Sequence, residues 1–92
     1  MKILIIIEQG DHDYCCYSPD VGGCITTGET IEQTLANMKE ALELHYEGIL
    51  AEGYPLPVLR SAKEVIEEVN FNEGDILTSL NIEVELSTAS AA

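Results

Sequence analysis

Basic side chains are what this sequence has least of: 4 Lys and Arg stand against 17 Asp and Glu, for a formal net charge of -13 at pH 7. A field of that sign repels phosphate, which argues against unaided binding to nucleic acid or to an anionic membrane surface. The natural complement is a basic protein. Long apolar runs are also missing, since no stretch approaches the roughly 18 residues needed to span a bilayer. The short run at residues 3–7 follows a single lysine, has no small-residue cleavage site and leads straight into Glu8, so no signal peptide is expected and a cytoplasmic location is. Cysteine is sparse, with 3 residues. An odd count without a secretory signal excludes a disulfide framework. Cys15 and Cys16, adjacent on an expected strand, point to opposite faces, and with Cys24 they are expected to be reduced packing residues. Neither His12 nor His45 stands in a zinc-ligand spacing. No phosphate loop, dinucleotide fingerprint or nucleophile elbow is present, so no cofactor, metal or enzymatic activity is expected.

What is present suffices for one domain: 92 residues, 46% hydrophobic, an ordinary globular content that argues against a disordered acidic tail. Residues 1–9 contain a β-branched run, apolar on both faces, that suits a strand inside a sheet. Turn residues at 10–13 lead to a second strand at residues 14–18. Pro19-Asp20 and Gly22-Gly23 punctuate the next bend, and a short third strand follows at residues 24–27. The first third is thus an antiparallel meander. Thr30-Ile31-Glu32-Gln33 has the form of a capping box. Apolar residues at Ile31, Leu35, Met38, Leu42, His45 or Tyr46, and Ile49 recur at helical spacing. Gly53 is the expected left-handed cap, followed by Pro55 and Pro57, which sets the helix at 31–52. Ser61-Ala62-Lys63-Glu64 is a second capping box, opening a short helix through Val65, Ile66 and Val69. Ile82, Val84 and Leu86 alternate with glutamates in an expected last strand.

These elements imply an α+β domain over residues 1–86 with a flexible tail at 87–92. A right-handed crossover would return the last strand parallel to strand one, in sheet order 3-2-1-4, with the long helix on one face. The two-sided apolar content of strand one then calls for a cover on the other face, a second copy or a partner. A homodimer or higher homo-oligomer is expected, with Ile82, Val84 and Leu86 as candidate contacts. Glu8, Asp11, Asp13 and Asp20 lie near turns and strand ends, where carboxylates could in principle hold a divalent ion for nuclease chemistry. Their spacing matches no metal motif. The helix carries Glu40, Glu43 and Glu47 on its outer side, either as a solvated face that keeps the protein in solution or as an electrostatic receptor for a basic partner.

Residues 17–33, from Tyr17-Ser18-Pro19-Asp20 through Val21-Gly22-Gly23-Cys24 and Thr27-Gly28-Glu29-Thr30 to the helix start, resemble the signature of HicB-like antitoxins, as do residues 37–44 and Glu52-Gly53 with the prolines after it. The resemblance spans residues 1–57 and, more loosely, the last strand. Gly22 stands where the family often has proline. The resemblance implies a partial ribonuclease-H-like fold of β-β-β-α-β order acting as an antitoxin. Its partner would be a small basic HicA-type mRNA-cleaving toxin whose RNA-binding and catalytic surface it occludes. On this reading Pro19, Asp20, Val21 and Gly23 of the bend, with Glu40, Glu43 and Glu47, are the candidate toxin contacts. Many family members carry a C-terminal DNA-binding domain, and none is expected here after Leu86. A solitary acidic binding module and, more remotely, a metal-dependent nuclease on the same scaffold are the alternatives.

Overall fold

The computed structural model describes residues 1–84. Leu86 and the expected tail at 87–92 lie outside the described residues. In chain order the elements are β1 (Lys2–Gln9), β2 (Tyr14–Tyr17), β3 (Ile25–Gly28), α1 (Ile31–Glu52), α2 (Ala62–Glu68) and β4 (Ile76–Asn81). The four strands form one sheet in the order β3-β2-β1-β4, an α+β arrangement with β1 internal as its two-sided apolar run implies.

The helix α1 occupies the expected span because both ends are chemically marked. The Thr30 side chain accepts from the Gln33 amide at 3.0 Å, while the Gln33 side chain accepts from the Glu29 amide at 2.7 Å, one residue beyond the reach of a reciprocal box. Gly53 closes the other end at φ 71, a left-handed conformation that any residue with a Cβ adopts only at a cost. Buried on the sheet side are Thr34, Met38, Leu42 and Tyr46, a stripe stepping by four residues. They pack on Ile3, Ile5, Ile7 and Cys16 of the sheet and on Val21, Cys24 and Ile82. At about 1.5–3 kcal/mol per large buried side chain, this layer supplies most of the driving force. Thr34 belongs to the stripe despite its hydroxyl, which donates to the Thr30 carbonyl at 2.7 Å. Gly28 permits the contact, since a Cβ there would lie 2.6 Å from the Thr34 Oγ1.

One expectation about the sheet is corrected. β4 pairs antiparallel to β1, with Lys2 opposite Asn81 and Ile7 opposite Ile76, where a parallel partner at residues 82–86 was expected. The parallel reading counts one traverse between β3 and the last strand, the long helix. The chain makes two. After α1 it reaches the β2–β3 bend, where Arg60 meets Asp20, and then climbs through α2 to Asn72, whose Nδ2 lies 3.5 Å from the Glu8 Oε2 near the far end of β1. The strand therefore enters from that end and runs opposite to β1. The turn that starts it is built by Asn72 and Asp75, which exchange two hydrogen bonds, and by Gly74 at φ 91. Ile82 extends the pairing by one step, exchanging bonds with Met1 at 2.8 and 3.1 Å, and turns its side chain into the core at 1% exposure.

The register also sets a second face. Ile25, Tyr17, Ile6 and Leu77 stand opposite one another across the four strands, on the side away from α1 because β1 alternates Ile5 and Ile7 toward it. Ile6 is nevertheless wholly buried, and so is Val65, the one buried residue of α2. Neither belongs to the α1-side core.

Candidate functional site

The bend between β2 and β3 begins with a local clamp. Ser18 is buried and its Oγ accepts from the Asp20 amide at 3.3 Å. The Asp20 side chain is 1% accessible and takes two hydrogen bonds from Arg60, one from its amide at 3.0 Å and one from its Nε at 2.7 Å. Arg60 also donates through Nη2 to the Pro19 carbonyl at 2.9 Å and through Nη1 to Glu68 at 2.9 Å. These acceptors raise the Arg60 pKa above its ordinary value, Asp20 first and Glu68 second. A single arginine therefore ties the bend to α2. Within the bend Val21 is buried in the core, while Gly22 and Gly23 are exposed and Gly23 sits at φ 86. Pro19 is half-buried. Of the candidate contacts here, the Asp20 carboxylate is already engaged and the Val21 side chain is already packed. Backbone and the ring of Pro19 are what the bend offers a partner.

Tyr46 is 1% exposed, and its hydroxyl has no hydrogen-bond partner among the described residues. Burial pushes the phenol pKa up, and the charge of Asp20 adds to the shift.

On the outer side of α1, Glu40 and Glu47 are exposed. Glu43 is not free in the same way: its Oε2 accepts from Lys39 Nζ at 3.0 Å and from the Glu83 amide at 2.9 Å. Those bonds, the backbone one first, hold its carboxyl below the usual range. Its role is to pin the chain after β4 onto the helix. Between Glu40 and Glu47, one turn from each, Leu44 is 68% exposed. The sequence reading passed over this leucine, although its position outside the 34-38-42-46 stripe was the signal that it faces solvent. The outer stripe thus has an apolar centre between two carboxylates, a composition suited to a cationic protein surface.

Among the described residues no group of three or more His, Cys, Asp and Glu is close enough to hold a metal ion, and Asp20 stands at the end of the sheet opposite to Asp11 and Asp13. An open cleft of about 440 Å³ is lined by His12, Asp13, Thr27, Gly28, Glu29, Gln33 and Asn37. Two of its polar groups are occupied within the fold, the Asn37 Nδ2 by the Thr27 carbonyl and the Gln33 Oε1 by the Glu29 amide. Cys15, Cys16 and Cys24 are free thiols. Burial raises all three pKa values, Cys16 to about 12, so none is a ready nucleophile. No helix among the described residues is long and apolar enough to cross a membrane.

Comparison with known proteins identifies the fold and the family. The chain is similar in structure to the N-terminal domain of the Burkholderia pseudomallei antitoxin HicB, with a TM-score of 0.79 and 22% identity over 91% of this chain and 100% of that one; at that identity the likeness concerns the fold. It is also similar to a chain of a HicA3 and HicB3 toxin-antitoxin complex, with a TM-score of 0.74 and 30% identity over 90% of this chain and 99% of that one. In sequence it is 32% identical over 69 residues to an uncharacterised 14.9 kDa protein of Haemophilus phage HP1, covering 75% of this chain and 52% of that protein. It is 33% identical over 54 residues to a UPF0150 protein of Synechocystis sp., covering 59% of this chain and 68% of that one. The match thus spans about half the length of the phage relative. The family model described as HicB-like antitoxin of bacterial toxin-antitoxin system matches residues 3–91. The chain belongs to the HicB-like antitoxin family.

Proposed function

We propose that this protein neutralises a small basic HicA-type toxin by binding it and covering its RNA-binding and catalytic surface. The observation that carries this reading is the outer face of α1, where Glu40, Leu44 and Glu47 are exposed in a chain of net charge -13. Membership of an antitoxin family and likeness to a chain of a HicA3 and HicB3 complex support it. Glu40 and Glu47 would steer the encounter, since rim charges act mainly on association. Glu43 would keep the helix and the following chain in register. Pro19 and the backbone at Gly23 would make contact from the bend, with Asp20 and Val21 holding its shape from below. The protein acts by occupancy and not by chemistry, without nucleic acid of its own, in the cytoplasm, and as a homodimer or larger assembly.

The test mixes the full chain with a HicA-type toxin and labelled mRNA. Cleavage should fall in proportion to added protein and cease at stoichiometric ratio. A toxin that cleaves undiminished in molar excess of folded protein would refute the reading. Reversing Glu40 and Glu47 to lysine should slow association at low salt and have far less effect above about 0.5 M, where the Debye length is about 4 Å. Light scattering checks the assembly state, and a strictly monomeric mass at high concentration would remove the oligomer.

A further inference from the structure

Between the two helices the chain exposes an apolar segment, Tyr54-Pro55-Leu56-Pro57-Val58-Leu59. Val58 is 84% exposed, Tyr54 64%, Leu56 44% and Leu59 39%. Single exposed apolar side chains are ordinary, but four within six consecutive residues form the kind of patch that marks an interaction site. The segment has no secondary structure, yet it is fastened at both ends. At one, the Tyr54 amide donates to the Ile49 carbonyl at 3.1 Å behind the Gly53 cap. At the other, the Arg60 amide, Nε and Nη2 bind Asp20 and Pro19. Pro55 and Pro57 restrict the backbone between these anchors and carry no N–H. Among the described residues the amides of Leu56, Val58 and Leu59 find no protein acceptor. The segment is therefore restrained at both ends without being packed, and a partner that docks there is spared part of the entropy of ordering it.

The charges around the segment select the occupant. Glu52 precedes it, and Glu64 and Glu67 follow it on α2, all exposed, against Lys63 and an Arg60 already paired with Asp20 and Glu68. A second copy, itself at -13, would bring two acidic rims together, and like-charge juxtaposition opposes that pairing. A cationic surface with an apolar centre satisfies rim and patch at once. We propose that residues 54–59 are the main apolar contact of the toxin-binding surface, docking against an apolar centre within the basic face of the toxin. This rests on the antitoxin reading above.

The experiment uses the full chain, its Leu56→Ser/Val58→Ser double variant, and a catalytically inactivated cognate HicA-type toxin. Both substituted side chains are exposed, so an unchanged melting temperature establishes that the fold survives. The dissociation rate of the double variant should rise at least about tenfold. The effect should persist above about 0.5 M salt, where the Debye length of about 4 Å removes most charge steering. An unchanged dissociation rate in the folded double variant would overturn the docking proposal and leave the antitoxin reading standing. A wild-type chain that fails to bind this toxin would overturn that reading and the occupant with it. Self-association of the wild type that the double variant abolishes would assign the segment to a second copy and refute the proposal.

Discussion

At the scale of single residues, the protein is organised by a few side chains whose partners lie far away in sequence. Arg60 and Asp20, 40 residues apart, illustrate how burial decides which partner matters more. The Asp20 side chain is 1% accessible and that of Arg60 28%. Removing the arginine leaves a carboxylate out of reach of water, whereas removing the aspartate leaves a guanidinium that water and Glu68 can still solvate. Arg60→Ala should therefore destabilise more than Asp20→Ala, measured as the urea midpoint of each; the reverse order would mean that the bend opens to hydrate Asp20. Gly28 offers a second check. Its replacement by alanine places a Cβ 2.6 Å from the Thr34 Oγ1 and 2.8 Å from the Thr34 amide, and overpacking of this kind costs about 1–3 kcal/mol. A loss below about 0.5 kcal/mol, a typical size for surface substitutions, would show that α1 shifts away freely.

At the scale of elements, the contrast between α1 and β4 shows what local signals can carry. The helix is marked by Thr30 and Gly53, so its bounds follow from local signals; the apolar spacing places Met38, Leu42 and Tyr46 on the buried face, while Thr34 joins them there and Ile31, Leu35 and Ile49 lie at its half-buried margin. Its phase is testable through Leu42, which is 0% exposed. Leu42→Ala should cost about 2–5 kcal/mol, read from chemical denaturation. By comparison Leu44→Ala, on the outer face, should change stability by less than about 0.5 kcal/mol while weakening toxin binding. β4 carries no such mark. Residues 76–81 are ILTSLN, and Leu77, Thr78, Ser79 and Leu80 are all half-buried on an edge strand, so neither face is clean enough for an alternating pattern. The sharper alternation at Ile82 and Val84 drew the strand assignment downstream, and there Ile82 packs into the core and the ladder runs out.

At the scale of the whole molecule, buried acids and the charge imbalance set the response to solution conditions. Cys16 loses its proton near 9 when unfolded and only at about 12 when folded, burial being the chief cause. Cys15, Cys24, Tyr17 and Tyr46 are shifted in the same direction. Between pH 9 and 12 the folded chain thus holds protons that the unfolded chain has released. The stability these groups contribute is complete below pH 9 and declines as pH rises through the folded values, by at most about 1.4 kcal/mol per pH unit for each group. Urea midpoints measured from pH 7 to 11 should fall above pH 9, and Cys16→Val should flatten the fall. An equally steep fall in that variant would move the cause to the tyrosines or to the general repulsion of a highly charged chain.

How much of this was legible without coordinates follows from the range of the forces involved. Caps, turns, helical phase and the interior position of β1 depend on neighbours within a few residues, and the net charge depends on none. The acidic outer stripe of α1 was therefore open to sequence reasoning, as was the family signature at residues 17–33. Three features depended on where the chain returns. The direction of β4 turned on a second traverse through α2. The engagement of Asp20 and Glu43 turned on Arg60 and Glu83, each 40 residues along the chain from its partner. The exposure of residues 54–59 turned on how both ends are tied down, which leaves them without a packing surface among the described residues. Sequence determined the first three strands, the two helices and the net charge, because those are local or additive properties. Tertiary structure decided which carboxylates remain free and which apolar residues remain uncovered, because a side chain is spent only when the fold brings it a partner.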